Sequence, residues 1–109
     1  MPDTRDLPKP TAVKNRRLKV SPGGVVTLPV AARKALGMVQ GEGAKVTVAV
    51  EKEAVNVALT TDTGGFRVSR GGQLELRGEA REVLESGEAR HYWIDLDDEG
   101  RRITLHPFR

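Results

Sequence analysis

Residues Lys19–Gly37 read "KVSPGGVVTLPVAARKALG", and residues Arg67–Glu85 read "RVSRGGQLELRGEAREVLE". A shift of 48 residues aligns 20–36 with 68–84 without a gap. Eight of the seventeen aligned positions are identical, where unrelated sequences would share about one. The identical residues of the second stretch are Val68, Ser69, Gly71, Gly72, Leu76, Ala80, Arg81 and Leu84. The sequence therefore predicts an internal duplication.

The first copy has the pattern of a small, β-rich unit. Leu18 and Val20 alternate with a polar neighbour, which is typical of a strand, and "SPGG" has the proline and glycines of a turn. After a second strand, Pro29 opens a predicted helix, "PVAARKAL", and Gly37 suits its left-handed C-terminal cap. A valine-rich strand, a turn at "EKE" and a returning strand complete the unit. Two such units predict a mostly β protein of about eight strands and two short helices.

We expect the two units to close on each other, because one unit of this size cannot bury its apolar face alone. The second copy has a loop shortened by two residues, so the shift falls to 46 and aligns Ile103 with Val57 and Leu105 with Leu59. The predicted boundaries are a flexible basic arm at 1–15 and a single barrel domain at 16–109, with repeat one at 16–59, a linker at 60–65 and repeat two at 66–109.

Charge is unevenly distributed along the chain. The sequence has 18 Lys and Arg against 15 Asp and Glu. Residues 1–19 carry six basic and two acidic groups, which leaves 12 basic and 13 acidic groups in the other 90 residues. Residues 60–109 alone hold eight basic and ten acidic groups. The basic character therefore belongs to the N-terminal arm, whereas the second copy is net acidic.

The first copy resembles the AbrB/SpoVT (also MazE-like) swapped-hairpin family. The resemblance rests on Gly24, Val26, Leu28, Pro29, Arg33, Leu36 and Gly37, followed by a valine-rich strand and a hairpin. In that family two units interleave their hairpins into one closed barrel, and a single chain with both units is similar to the MraZ arrangement. The resemblance implies a bacterial-type transcription regulator that is cytoplasmic, associates with the nucleoid and binds double-stranded DNA.

Basic residues at matched positions are the candidate DNA contacts. Lys19 matches Arg67 on the outward face of the first strand of each copy, and Arg33 on the first helix has its own match on the second. Around a twofold axis, such cations would meet phosphates on two sides of a groove. A plainer alternative is that they are solvated charges, with the helix arginines paired to Glu79 or Glu85. The full predicted set is Lys14, Arg16, Arg17, Lys19, Arg33, Lys34, Arg67, Arg70 and Arg81.

Two polar residues, Thr27 and Gln73, are the candidates for reaching base edges. The family commonly has an arginine directly after the glycine that opens the second strand, whereas this sequence has Val25 and Gln73 there. The missing arginines and the acidic second copy favour an alternative function, a protein-interaction or adaptor barrel that has lost its operator contacts. An antitoxin is a third, less favoured alternative.

Trp93 falls on the outward face of its predicted strand, whereas Tyr92 and Ile94 face inward. Either another part of the barrel or the arm covers it, or it anchors a subunit or partner protein, where tryptophan is enriched. Self-association and a protein partner therefore stay open as alternatives.

Several classes of chemistry are not expected. The chain has no cysteine, and His91 and His106 have no close histidine partner, so we expect no metal site. The acidic stretch "DLDDEG" lacks the ligand spacing of a calcium loop and is predicted to be a hairpin turn. No motif joins a nucleophile to a histidine and a carboxylate, so we expect no enzyme, no catalytic residue and no cofactor. No apolar run approaches the roughly 20 residues of a membrane span, so no membrane partner is expected.

Overall fold

The computed structural model describes residues 18–61 and 65–108. Its strands are β1 (Leu18–Lys19), β2 (Val25–Thr27), β3 (Ala44–Glu51), β4 (Ala54–Leu59), β5 (Phe66–Val68), β6 (Gln73–Glu75), β7 (His91–Asp97) and β8 (Arg102–Pro107). Its helices are α1 (Val30–Leu36) and α2 (Gly78–Glu85), and a 3-10 turn covers Glu88–Arg90. The described chain is therefore mostly β, as the alternation of apolar residues predicted.

The eight strands form one antiparallel sheet in the order β1-β7-β8-β4-β3-β5-β6-β2. At the two ends of that order, an isolated bridge joins Ser21, two residues after β1, to Val25 of β2. The sheet thus curls into a nearly closed barrel, an arrangement that pairs strand edges which would otherwise be exposed. The prediction of a β barrel with eight strands and two short helices is confirmed.

Adjacent pairs of strands from the two halves interleave around the sheet. Seven strand pairings link the described residues, and four of them join a strand that ends before residue 60 to one that begins after residue 65. These four pairings are β1–β7, β4–β8, β3–β5 and β2–β6. The other three pair neighbouring strands of one half, namely β3–β4, β5–β6 and β7–β8. The closure of the barrel therefore depends on pairings between distant segments.

The core takes side chains from both halves and from both helices. Its fully buried apolar residues include Val26, Leu28, Leu36, Val46, Val55, Val57, Leu74, Leu76, Leu84, Ile94, Ile103 and Leu105. In the strands these residues recur at every second position, because successive side chains of a strand point to opposite faces. Among the described residues no charged side chain is buried. The charges all lie at the surface, where their arrangement decides what the barrel can bind.

The two helices begin and end differently. α1 begins at Val30, one residue later than predicted, because Pro29 keeps an extended backbone with ψ of 165° and serves as the N-cap. It ends at Gly37, whose φ of 88° is the left-handed value expected of a glycine cap. α2 has Arg77 at its N-cap and ends at Ser86, which keeps a right-handed conformation. The predicted glycine cap of α1 is confirmed.

The two long hairpins differ in turn length. The β3–β4 hairpin pairs Glu51 with Ala54 across a two-residue turn, whereas the β7–β8 hairpin leaves four residues, 98–101, between its last pair. As a result Val48 lies opposite Val57, and Ile94 lies opposite Leu105. Leu105 thus occupies the position that Val57 occupies in the first hairpin. The alignment of Ile103 with Val57 was wrong, because the longer turn offsets the shorter loop before β7.

Candidate nucleic-acid interface

Each helix meets the turn of the opposite half of the chain. Leu28, just before α1, donates its backbone N–H to the carbonyl oxygen of Gly72 at 2.7 Å. Leu76, just before α2, donates to the carbonyl oxygen of Gly24 at 2.8 Å. We call α1 with the turn 69–72 the first junction, and α2 with the turn 21–24 the second junction. Each junction combines residues that are distant in sequence.

At both junctions a helix arginine packs directly against a glycine of the turn. Gly72 has φ of 87°, and a Cβ on it would lie 2.7 Å from Leu28 O and 2.8 Å from Arg33 Nε. Gly24 has φ of 83°, and a Cβ on it would lie 2.8 Å from Arg81 Cδ. Such separations are well inside van der Waals contact. Both positions therefore require glycine, for the backbone conformation and for the close approach.

The two matched arginines have different partners. Arg33 Nε donates to Leu28 O at 3.0 Å, and its Nη1 donates to Arg70 O at 3.4 Å. Arg81 Nε donates to Glu85 Oε2 at 3.1 Å, in an ion pair one turn along α2. The pairing of a helix arginine with Glu85 is thus present at the second junction. At the first junction Arg33 donates to backbone carbonyl groups. These groups are neutral, so the bonds do not cancel the positive charge of Arg33.

The two junctions carry opposite charge. The first has three basic residues, Arg33, Lys34 and Arg70, and no acidic residue in α1 or in 69–72, so its net charge is +3. The second has one basic residue against three acidic ones, so its net charge is −2. The acidic residues are Glu79, Glu82 and Glu85. Because a positive field attracts a polyanion and a negative field repels it, the first junction is the one suited to phosphates.

The first junction continues into a concave surface towards β5. One depression is lined by Gly41, Glu42, Gly43, Arg67, Ser69 and Arg70. A neighbouring depression includes Arg33 and Lys34 in its lining and shares Gly41 and Glu42 with the first. We call the four cations that border these depressions the basic surface: Arg33, Lys34, Arg67 and Arg70. Their side chains reach one side of the barrel although they come from both halves of the chain.

The short ribbon of β2 and β6 connects the two junctions. Val26 pairs with Leu74 at its centre, and both are buried. On one side of this pair Thr27 lies opposite Gln73, and both are exposed. Gln73 directly follows Gly72 of the first junction, so the two predicted base-edge residues adjoin the basic surface. On the other side, next to the second junction, the ribbon instead pairs Val25 with Glu75.

Tyr92 supports the ribbon from inside the barrel. Its hydroxyl donates to Thr27 O at 3.4 Å, and the side chain is 1% exposed. Burial raises the pKa of Tyr92 to about 12. The hydroxyl therefore stays protonated at neutral pH and can keep donating to the ribbon.

The remaining predicted contacts are dispersed. Lys19 and Arg67 are both exposed on first strands, as expected. Arg67 lies opposite Lys45 and leads into the turn of the first junction, whereas Lys19 lies opposite His91 and leads into the turn of the second. The structure thus brings together Arg33, Lys34, Arg67 and Arg70. It separates two others from them, because Arg81 is in the second junction and Lys19 lies just before the turn of that junction. Lys14, Arg16 and Arg17 lie outside the described residues.

Trp93 lies on the outer face of β7, as the alternation predicted. Its ring stacks on His106 of β8, with the centroids 4.2 Å apart and the planes 15° apart. Further along, "DLDDEG" was predicted to be a hairpin turn; its first three residues instead end β7, and the last three are in the β7–β8 turn. There Gly100 N donates to Asp97 Oδ1 at 2.9 Å. This bond, together with Arg102, lowers the pKa of Asp97.

The crossing of helix and turn between halves was missed by reasoning from the sequence. That reasoning assigned the cations to a symmetric surface, whereas the junctions differ in sign. A signal was present at the matched positions, because Lys34 aligns with Glu82 and Thr27 with Glu75.

No family model, no curated protein sequence and no solved structure matches this chain. Within the described ranges, no helix is long and apolar enough to cross a membrane.

Proposed function

We propose that this protein is a double-stranded DNA-binding transcription regulator of the AbrB/SpoVT type, built from two swapped-hairpin repeats in one chain. It binds DNA through the first junction rather than symmetrically through both. The observation that carries the proposal is the convergence of Arg33, Lys34, Arg67 and Arg70 on one surface beside Gln73. DNA binding draws most of its affinity from phosphate contacts of this kind.

Matched hydrogen bonds support the repeat. Ser21 N donates to Val25 O at 2.8 Å, and Ser69 N, 48 residues later, donates to Gln73 O at 3.0 Å. The turn glycines follow the same rule, since Gly24 N and Gly72 N each donate to the carbonyl oxygen of the serine three residues before, both at 2.9 Å. Together with the interleaved strand order, these bonds favour a swapped-hairpin barrel.

The basic surface and the ribbon have different roles in this proposal. Lys34, Arg67 and Arg70 are exposed and contact the phosphates of one backbone. Arg33 is partly buried and positions the Arg70 turn through its bond to Arg70 O. Thr27 and Gln73 carry hydroxyl and amide groups that suit base edges. Arg81 and Lys19, at the acidic second junction, contribute little.

The test is the salt dependence of binding to a duplex selected from a random pool, measured by fluorescence anisotropy. If Lys34, Arg67 and Arg70, together with Lys14, Arg16 and Arg17 of the N-terminal arm, each neutralise one phosphate, log affinity falls against log salt with a slope of about −5. The double variant K34Q/R70Q removes two exposed cations and flattens the slope by about 2. Arg33 is left in place because it holds backbone carbonyl groups.

The matched control is K19Q/K52Q, which removes the same charge from two exposed residues, one before the turn of the second junction and one in the β3–β4 turn. We expect it to leave the slope within about 0.5 of the wild type, since salt dependence follows contacted phosphates and not total charge. Equal effects of the two double variants would show that the first junction is not the DNA surface. A wild type that binds no duplex would reject the function itself.

A protein-interaction barrel is the second candidate function. The acidic second junction favours it, since Glu75, Glu79, Glu82 and Glu85 would repel DNA but suit a basic partner protein. In that case E79Q/E82Q abolishes partner binding in a pull-down, and K34Q/R70Q leaves it intact. Loss of partner binding in K34Q/R70Q but not in E79Q/E82Q would instead assign the interaction to the first junction.

A further inference from the structure

Exposed apolar side chains cluster at one place on the barrel. Within the described part of the chain three large apolar side chains are exposed, and two of them, Val30 and Val39, line the same depression beside α1. They are 54% and 62% exposed, and the half-buried Met38 also lines this depression. Single exposed apolar residues are ordinary, whereas several together with a polar rim indicate a contact surface. We call the depression lined by Val30, Met38 and Val39 the apolar groove.

The apolar groove is basic as well as apolar. Its lining also includes Arg33 and Lys34 against one carboxylate, that of Glu42, so its net charge is +1. Lys34 is exposed, and Arg33 is held by its bonds to backbone carbonyl groups. Because complementary charges select the partner at a contact surface, an occupant of this groove needs an apolar side chain beside negative charges.

The outer face of α2 has that combination. Val83 is half-buried, and Glu79 lies one turn before it on the same side of the helix. Glu82, next to Val83, is exposed as well. The one arginine of α2, Arg81, is paired with Glu85, so the helix has a net charge of −2 and its outer face is acidic. The apolar groove and a helix face complementary to it therefore occur in the same chain.

We propose that the apolar groove binds α2 of a second copy of this protein, with Val83 in the groove and Glu79 and Glu82 facing its cations. The groove belongs to the first junction and α2 to the second, so the contact joins different surfaces of two molecules, head to tail. A symmetric contact would instead place two basic grooves, or two acidic helices, against each other, and like charges disfavour both arrangements. Each end molecule of such an assembly keeps one unused surface.

This contact competes with DNA, a step that rests on the proposed function. Lys34 lies in the apolar groove and in the basic surface, so it cannot face a carboxylate of a second copy and a phosphate at the same time. Binding of a duplex at the first junction therefore releases α2 of the neighbouring molecule. Free protein associates with itself, and DNA-bound protein does not.

The experiment measures self-association of the full-length chain by sedimentation velocity at low salt, where charge contacts are least screened. Two variants disable opposite surfaces. E79K/E82K reverses the charge of the helix face and should lower the association constant by about tenfold or more. V30T/V39T keeps the shape of the groove but makes it polar, and should lower the constant by about tenfold. The control E53K/E99K makes the same charge change at exposed residues of the two long hairpin turns and should associate like wild type.

Mixing the two variants decides whether the contact is head to tail. E79K/E82K keeps an intact groove and V30T/V39T keeps an intact α2, so an equal mixture should form dimers that grow no further, although neither variant associates alone. Absence of dimers in the mixture would overturn the proposal. So would equal effects of E79K/E82K and E53K/E99K, or a wild type that stays monomeric up to about 1 mM.

The selected duplex separates this proposal from the proposed function. Addition of the duplex should dissociate wild-type assemblies, and V30T/V39T should keep the wild-type salt slope of DNA binding because its four surface cations are intact. Protein that binds the duplex and stays associated through the groove would reject the competition. If no duplex binds, the proposed function fails, while the mixing experiment still decides the self-association.

Discussion

The first and second junctions have the same backbone contacts but opposite surface charge. In each, the residue two positions before the helix donates its N–H to the carbonyl oxygen of a turn glycine of the other half, at 2.7 Å and 2.8 Å, and an arginine packs on that glycine. Yet the first junction is net basic and adjoins Thr27 and Gln73, whereas the second is net acidic and adjoins Val25 and Glu75. One architecture therefore supports two different chemistries.

The difference teaches which positions the barrel requires. Of the eight residues of 68–84 that are identical to the aligned residues of 20–36, five are buried. They are Val68, Gly72, Leu76, Ala80 and Leu84. The positions that change sign or polarity are exposed, as with Lys34 against Glu82. Packing constrains the shared residues, and the exposed positions are left to determine binding.

The largest effect is expected from the turn glycines, and it tests whether the junctions are equivalent in structure. G72A and G24A should each lower the free energy of unfolding by about 3 kcal/mol, because a positive φ and a backbone clash add together. The two losses should agree within about 1 kcal/mol, the size of ordinary context effects. Chemical denaturation of each variant measures this directly.

Gly23 supplies the control for that pair. Its φ is 93°, but a Cβ on it would meet nothing within 4 Å. G23A should therefore cost only the conformational part, about 1 kcal/mol. If G72A and G23A were equally stable, the close approach of Arg33 to the turn would not matter to the barrel.

The next effect separates the halves by pH. Tyr92 is the one tyrosine of the chain, and the residue aligned with it in the first half is Val46. Of these two aligned positions, only the one in the second half has a titratable side chain. The pKa of Tyr92 is raised to about 12 in the folded state. The stability that the neutral hydroxyl provides is therefore fully present below pH 10 and is lost as the pH rises towards 12. The loss reaches at most about 3 kcal/mol, since each pKa unit corresponds to about 1.4 kcal/mol.

Absorbance at 295 nm follows the phenolate directly, and denaturation at several pH values gives the stability. Y92F should be less stable than wild type at pH 7, because it lacks the bond to Thr27 O, and it should lose less stability between pH 10 and pH 12. A Tyr92 that titrates near pH 10 in the folded protein would contradict the burial of its hydroxyl.

The smallest effect concerns binding and converts one junction into the other. V25Q/E75T/E82K gives the second junction the residues found at the aligned positions of the first. If the first junction binds DNA because of those residues, the slope of log affinity against log salt should steepen by about 1, with roughly tenfold tighter binding at low salt. The reciprocal variant, T27E/K34E/Q73V, should flatten the slope and weaken binding. An unchanged slope in the first variant would mean that the ribbon and α2 cannot reach DNA.

Much of the fold could be predicted from the sequence, because it depends on local patterns. The alternation of apolar residues predicted the strands, Gly37 predicted the C-terminal cap of α1, and "DLDDEG" predicted the turn between β7 and β8. The register of β8 could not be predicted by alignment, since it depends on turn length, and a shift of two residues keeps the same face inward. The basic residues of the candidate site could be named from the sequence. Which of them lie together depends on which helix meets which turn. That is set by pairing between distant strands, which periodicity does not encode.

The interleaving of the strands also governs how the protein can be made. The first described strand pairs with β7, and β2 pairs with β6, so the N-terminal segments find their partners only after most of the chain has been synthesised. On the ribosome, the nascent first half holds apolar strands without the second half to cover them. We therefore expect folding to finish after release, and to be slow for a chain of this length, because non-local pairing delays closure.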